Sequence, residues 1–431
     1  MRMPRRTRTM ALAIAVALGL AACGGNGGET SSGQVTIWMS LDETVVDGLT
    51  EEIMAKAEEA GIDVKVERVD SIDVLVKTRI QAGNPPDIAL VPQPGVVASI
   101  VELGAAYPLD DVLDLGALED SMVPGAIDAG MVDGQLYGLL TSMNVKSLLF
   151  YPKKAFEDAG YETPNSLDEL TALADQIRGD GGTPWCLTME SGAATGWVAT
   201  DWFEDLIMRV GSPEEYNQWV AGEIPFDSDV VREAAAYFEE VAFTEGNVQG
   251  GRRAIAATPF GDAARPMFNQ AGPQCWLLKQ GSFFVAPDFL PDRIFENADE
   301  ELGVTGFPPA EVGGENPVMG GGDLAVLLSD NPDAQEAMRI LAQADVGNTA
   351  ATNSSFLSPH RVFDVSLYAN DTVRNIAGVA YDATAFLFDG SDSMPAQVGA
   401  GTFWTEMTDW ISGRKSLDDA LTTIDNSWPA N

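Results

Sequence analysis

The sequence predicts an α/β protein of two lobes, and three observations carry that expectation. Strand-forming and helix-forming runs alternate between residues 35 and 91, and the alternation restarts after residue 145. About 400 residues remain once a short leader is set aside, a length that suits two domains. Strand–helix–strand order of this kind builds a helix-covered, largely parallel sheet.

Val35-Thr-Ile-Trp-Met is rich in β-formers and reads as the first strand. Residues 43–59 place Val45, Val46, Leu49, Ile53 and Ala57 near one helical face. Ile62 to Val66 alternates apolar with charged residues, as a half-buried strand does. A second helix carries Ile72, Leu75, Val76 and Ile80, Pro85-Pro86 stops it, and Asp87-Ile-Ala-Leu-Val is strand again. Later, Ser147 to Tyr151 is strand and Pro152 to Ala159 helix, ended by Gly160. Ser166-x-x-Glu169 is a capping box for a helix running to about Arg178. Trp185 to Met189 reads as strand, 197–210 as helix, and Asp227 or Ser228 caps a helix through Val241. Gly-Gly-Gly-Asp at 320–323 leads into a strand from Leu324 to Leu328. Asn331-Pro332 opens a helix ending near Ala344, and Ser416-x-x-Asp419 caps a C-terminal one.

The leader holds four arginines and no acid before an apolar run from Met10 to Ala22, the plan of a secretory signal. The run is short of the roughly 20 residues a membrane span needs. Leu20-Ala21-Ala22-Cys23-Gly24 resembles a bacterial lipobox. Residues 1–22 are therefore expected to be a lipoprotein signal peptide, with Cys23 carrying the acyl anchor (the palmitate of the mature chain) on the extracytoplasmic face. Residues 24–33 are Gly, Ser, Asn, Thr and one Glu with nothing to bury, so 23–33 reads as a lipidated flexible tether.

The chain carries 25 basic against 65 acidic residues, a formal charge of −40, which argues against nucleic acid and anionic lipid as partners. Cys186 and Cys275 remain after Cys23; in an exported chain they most simply pair, two free buried thiols being the alternative. No CxxC accompanies them, and with His360 as the single histidine a metal site has no support. The same scarcity leaves one residue to serve any Ser-His-Asp device, and there is no Gly-x-Ser-x-Gly elbow, P-loop or HExxH. Asp389-Gly-Ser-Asp-Ser shares part of a calcium loop but lacks its spacing, so it reads as a surface turn. The chain is expected to bind without catalysing and to need no cofactor. Nine tryptophans are a generous number. Trp38, Trp197, Trp202 and Trp404 stand where regular elements meet loops. Aromatic faces cover the C–H faces of sugars, and about 100 Å² of such cover contributes roughly 2.5 kcal/mol.

Several segments together resemble the family 1 extracellular solute-binding proteins of carbohydrate ABC importers, whose fold is that of the maltose-binding protein. They are Val35-Thr-Ile-Trp, Asn84-Pro-Pro-Asp-Ile, Asp133-Gly-Gln-Leu-Tyr-Gly-Leu, Asn144-Val-Lys-Ser-Leu-Leu-Phe-Tyr-Pro and Pro164-Asn-Ser-Leu-Asp-Glu-Leu. A narrower resemblance, to α-glucoside-binding lipoproteins, rests on Glu190-Ser-Gly-Ala-Ala-Thr-Gly-Trp, Pro259-Phe-Gly-Asp-Ala, Gly320-Gly-Gly-Asp and Gly390-Ser-Asp-Ser-Met-Pro through Phe403-Trp404.

The resemblance implies a two-lobed periplasmic-binding-protein fold of the class II type. Residues 34–143 with 319–359 would form the N-terminal lobe, and 144–318 with 360–431 the C-terminal lobe. Hinge crossings fall near 143–147, 317–322 and 358–362. It also implies a Cys186–Cys275 disulfide, a monomer, and delivery of a carbohydrate (trehalose, sucrose, maltose or a related α-glucoside) to ABC permease subunits in the membrane. The implied ligand set is Asp42, Gln93, Asn144, Lys146, Trp197, Asp262, Phe283, Gly322, Asp323, Arg361 and Trp404. Pro92 and Pro94 flank Gln93 where relatives carry polar residues, and Phe283 stands where they often carry tryptophan. A polyol or glycosylated osmolyte is the alternative ligand, and a lipoprotein glycosidase the alternative activity.

Overall fold

The computed structural model describes residues 33–429. The signal peptide, Cys23 and the tether up to residue 32 lie outside the described residues. Eleven strands occur among those described. They are β1 (Val35–Met39), β2 (Val64–Arg68), β3 (Ile88–Val91), β4 (Met131–Val132), β5 (Gln135–Leu136), β6 (Gly138–Val145), β7 (Leu148–Pro152), β8 (Leu278–Gln280), β9 (Leu302–Gly306), β10 (Pro317–Leu327) and β11 (Ala385–Phe388).

A six-stranded sheet runs β11-β10-β3-β1-β2, with β6 also pairing β10. β1 lies parallel to β2 and β3, as the alternation predicts. The sheet as a whole is mixed rather than largely parallel, because β10 runs antiparallel to both β3 and β6. β4 and β5 form a hairpin whose turn, Asp133-Gly134, has positive φ at both residues, the backbone an Asp-Gly turn favours. A second sheet, β8-β7-β9, is antiparallel. On β7 the side chains alternate: Leu148 and Phe150 pack with the core of the six-stranded sheet. Leu149 packs with a second core built around Trp185, Trp202, Phe203 and Phe238.

β10 begins at Pro317, well before the expected Leu324, and it is buried throughout. The three glycines are strand, not approach loop, because β6 leaves no room for side chains. A Cβ on Gly320 would sit 2.2 Å from the Asn144 carbonyl oxygen, and one on Gly322 1.9 Å from that of Ser142. Two long strands thus run side by side in the first core, with Met319 of β10 reaching the second.

Most helices fall where expected: Glu43–Ala60, Ile72–Gln81, Leu167–Gly179, Trp197–Val210, Asp229–Phe243, Pro332–Leu341 and Leu417–Asp425. The Ser166 Oγ accepts the Glu169 N–H, the Asn331 side chain that of Asp333, and Ser416 that of Asp419. Trp185 to Met189 is not a strand; only Trp185 makes β-bridges, to Val248 and Leu277. The segment is pinned instead by the disulfide between Cys186 and Cys275. Closing that loop of 89 residues stabilises by roughly 4–5 kcal/mol in the chain-entropy treatment.

Candidate functional site

The site grows from the turn between β6 and β7, where Lys146 and Ser147 meet β10. The Lys146 N–H donates to the Met319 carbonyl at 2.8 Å, and the Met319 N–H donates to Ser147 Oγ at 2.7 Å. Ser147 Oγ in turn donates to Asp205 Oδ1 at 2.5 Å. Asp205 belongs to helix Trp197–Val210, which is buried along nearly its whole length and still carries Asp201, Glu204, Asp205 and Arg209. Charges on a buried helix persist only when paired. Arg209 Nη1 bonds Asp205 at 2.6 Å, and Arg209 also donates to the carbonyls of Phe307, Pro308 and Pro317. Lys279 closes on the other Asp205 oxygen at 2.6 Å. This network fixes the two crossing strands against one helix.

At the other end of that helix the chain turns through Gly196, whose φ is +124°. A Cβ there would lie 2.2 Å from the Trp404 carbonyl oxygen, so glycine lets the starts of two helices touch. The contact brings half-buried Trp197 and Trp404 together. The Lys146 ammonium stands 5.5 Å from the Trp197 ring centroid and bonds Asp201 at 3.2 Å and Asp389. Trp197 is wedged against Phe260 and Phe283, with centroids 5.1 and 5.9 Å away.

Asp389-Gly-Ser-Asp-Ser is not a surface turn. Asp389 and Ser391 are buried, and Glu204 accepts the N–H groups of Gly390 at 2.7 Å and Ser391 at 3.1 Å. Asp389 caps the turn by accepting the Asp392 N–H and the Ser391 hydroxyl. The Trp404 indole N–H donates to Ser391 Oγ at 3.3 Å. From the opposite side Gln93, which follows β3, donates its amide to Asp392 Oδ1 at 2.7 Å.

Four carboxylates thus surround one ammonium. Burial works to lower Lys146, but Asp201, Asp389 and Asp392 outweigh it and hold the amine well above its usual range. Asp389 is held below the ordinary carboxylate range, because Lys146 and its hydrogen-bond donors outweigh burial. Burial, with repulsion from Asp389, pushes Asp201 up to about 7 and Asp392 up to about 6, and raises Glu204 well above its usual value.

Of the expected ligand residues, Gln93, Lys146, Trp197 and Trp404 converge here. Phe283 joins through Trp197, but it also packs on Phe289, with centroids 5.8 Å apart. Asp262 follows Phe260 and is paired with Arg265 at 2.8 Å. Asn144, Gly322 and Asp323 lie on the β6–β10 pair leading into the site. Asn144 faces Gly321, and Asp323 accepts the Ser142 hydroxyl at 3.0 Å while burial pushes its carboxyl up to about 6. Gly322 serves close strand packing. Two residues stand apart. Asp42 is exposed at the start of helix Glu43–Ala60, where its side chain makes no cap bond. Arg361 is exposed beside Asp120 and Ser121. Trp38 and Trp202 are core residues; the Trp38 indole donates to Glu67 at 2.8 Å. His360 is buried against the Ser121 hydroxyl, and burial lowers its pKa to about 4.

Sequence reasoning missed Asp201, Glu204, Asp389, Ser391 and Asp392. The signal for the first two was present: acidic residues one turn apart on a helix rich in large apolar residues. For the last three there was none beyond glycine and serine beside acid, the composition of any turn. Chemically, the site offers two indoles and a carboxylate, Asp392, reached from both sides of the fold. Such a set suits a ligand with apolar C–H faces and donating hydroxyls. An open hollow of about 830 Å³ lined by Tyr151, Asn316, Arg374 and Asp382 shares no residue with it.

The family described as bacterial extracellular solute-binding protein matches residues 42–344. The osmoprotective compounds-binding protein GgtB of Synechocystis is 36% identical over 95% of this chain and 96% of its own. The alpha-glucosides-binding periplasmic protein AglE of Rhizobium meliloti is 37% identical over 86% of this chain and 81% of its own. Among solved structures, the solute receptor AcbH superposes with a TM-score of 0.76 at 18% identity, covering 92% of this chain and 97% of that one. The sugar-binding protein MalE of Xanthomonas citri gives 0.70 at 16% identity, covering 91% and 96%. These two likenesses establish the two-lobed fold.

Proposed function

This chain belongs to the bacterial extracellular solute-binding proteins, and on that premise we propose that it captures a carbohydrate for an ABC importer and hands it to the permease. The ligand is an uncharged α-glucoside, a disaccharide or short oligosaccharide, held where Gln93, Lys146, Trp197, Asp392 and Trp404 converge. That convergence is the observation that carries the reading. Indole faces cover the sugar's C–H surface, and Asp392 accepts its hydroxyl protons. Lys146, already neutralised by Asp201 and Asp389, sets the position of both acids and of the Trp197 ring. Asn144, Gly322 and Asp323 shape the approach along the crossing strands, and Phe283 and Asp262 back the aromatic wall. Asp42 and Arg361 stand outside this convergence and belong to the rims of the cleft.

The lobes divide at the crossings: residues 34–143 with 319–359, and 144–318 with 360–431. Closure rotates one lobe on the other about the β6 and β10 strands. The lipid on Cys23 tethers the chain, which acts as a monomer and performs no chemistry on its cargo. AglE's name supports the α-glucoside. GgtB's name supports the second reading, a glycosylated osmolyte.

The test is a thermal-stability titration of residues 34–431 with α-linked disaccharides, polyols and their glycosides, with product analysis after long incubation. A saturable rise with one α-glucoside, worth about 2.7 kcal/mol at a hundredfold excess over Kd, and no released monosaccharide is expected. A response to polyol glycosides alone selects the second reading, and hydrolysis overturns both.

A further inference from the structure

A separate cavity opens into the second core. Its walls come from helices Leu167–Gly179, Trp197–Val210 and Asp229–Phe243, and Trp185 adds to its lining. Four polar atoms of the lining residues are buried without a hydrogen-bond partner: Trp185 Nε1, Trp202 Nε1, Arg178 Nε and Asn247 Oδ1. An unbonded polar atom taken out of water costs free energy, and buried indole N–H groups ordinarily find an acceptor. Here the neighbours hold them where they are. Trp185 and Trp202 pack edge to face with centroids 5.0 Å apart. The Asn247 amide Nδ2 donates to the Glu240 carbonyl at 2.8 Å, which leaves Oδ1 as the free end of a side chain only 4% exposed.

We propose that this cavity is a second binding site, one that takes a short neutral diol. Size, charge and hydrogen-bonding capacity each narrow the choice. The cavity gives about 40 Å³ of room to the centres of water-sized spheres. One water needs about 10–15 Å³ on that measure, so the space suits about four non-hydrogen atoms. Arg178 is the one cation in the lining and is already paired with Asp175, while Glu240 lines the same space as a further acid. An anion therefore finds no net positive charge, and a cation would meet three N–H donors. Those donors need more lone pairs than one oxygen comfortably offers, and two hydroxyl oxygens supply them. Asn247 Oδ1 accepts one hydroxyl proton, and the Thr244 hydroxyl, also in the lining, accepts the other. Leu170, Ala174, Leu206 and Phe307 cover the C–H groups between. Asp175 and Glu240 are exposed and mark the mouth, whereas Trp185 and Trp202 are buried and form the floor. The cavity shares no residue with the carbohydrate site, so the two stand or fall separately.

The experiment is a titration of residues 34–431 with ethylene glycol, a diol of four non-hydrogen atoms, followed through the indole N–H resonances by NMR. The single variants Trp185→Phe, Trp202→Phe, Trp197→Phe and Trp404→Phe assign those resonances. The Trp185 and Trp202 signals are expected to move saturably in the millimolar range, while those of Trp197 and Trp404 stay in place. Trp185→Phe removes one donor and should weaken binding about fivefold, read on the Trp202 signal. Thr171→Leu, at a half-buried position of the wall, fills the space and should abolish the saturable shifts. Acetate, equal in size but charged, should move none of the four. Shifts that stay linear in the diol concentration overturn the site, as do saturable shifts that survive Thr171→Leu. Movement of Trp197 and Trp404 instead places the diol in the carbohydrate site and overturns it as well. Acetate binding as tightly as the diol overturns the ligand class.

Discussion

The Lys146 ammonium stands 5.5 Å from the centroid of Trp197, and its hydrogen bonds go to Asp201 and Asp389 rather than to solvent. The lysine therefore fixes the pose of an aromatic face and of two buried acids at once. It sits one residue beyond β6, in the turn to β7 beside Met319, the β10 residue that packs in the second core. The proposed binding site and the proposed hinge share this residue, so a change at it should be felt at both.

Replacing Lys146 with methionine removes the cation and keeps the stem. Breaking a buried ion pair from one side costs about 3–5 kcal/mol. Urea unfolding should report a loss of that order at pH 7.5 and a smaller one at pH 5, where the freed carboxylates bind protons instead. An equal loss at both pH values would show that the acids are not what the lysine neutralises.

Trp197 and Trp38 part company in their consequences. Trp197→Ala should weaken carbohydrate binding by about 2 kcal/mol, roughly thirtyfold, through lost contact area. Trp38→Phe, which breaks the bond to Glu67 inside the first core, should lower the melting temperature and leave affinity alone. Calorimetry and thermal unfolding on both variants separate the two roles; an affinity loss in Trp38→Phe contradicts the assignment.

The tryptophan contrast also marks how far the chain could be read without its fold. β1 and β3, the helices and their Ser and Asn caps were legible, because period and capping chemistry are local. The mixed direction of the sheet was not, since β10 joins β3 across more than two hundred residues and its glycines imitate a loop. Trp197 and Trp404 were singled out by resemblance to relatives and lie half-buried at the candidate site; Trp38 and Trp202 look identical in sequence and are core. Asp392 was hidden because a turn's burial depends on what covers it, here Glu204 from a distant helix and Gln93 from the end of β3, two strands away in the same sheet.

The buried acids also set how stability follows pH. Asp201 and Asp392 are pushed up to about 7 and about 6, and Glu204 is raised too. The folded state then binds more protons than the unfolded chain from about pH 4 to 7, so stability falls as pH rises through that window. Asp205 and Asp389 are held low, so what they contribute is present above about pH 4 and lost on further acidification. Urea midpoints should therefore be higher at pH 5 than at pH 7.5, by on the order of 1–3 kcal/mol in unfolding free energy, and should fall again below pH 4. A profile that climbs steadily from 5 to 7.5 is incompatible with this cluster.

The most direct test of the account is a crystal structure of residues 34–431 with the disaccharide that stabilises it most. The account predicts sugar density against the faces of Trp197 and Trp404, with a hydroxyl within hydrogen-bond distance of Asp392. Density in the open hollow beside Asn316 and Arg374 instead, with both indole faces bare, would contradict it.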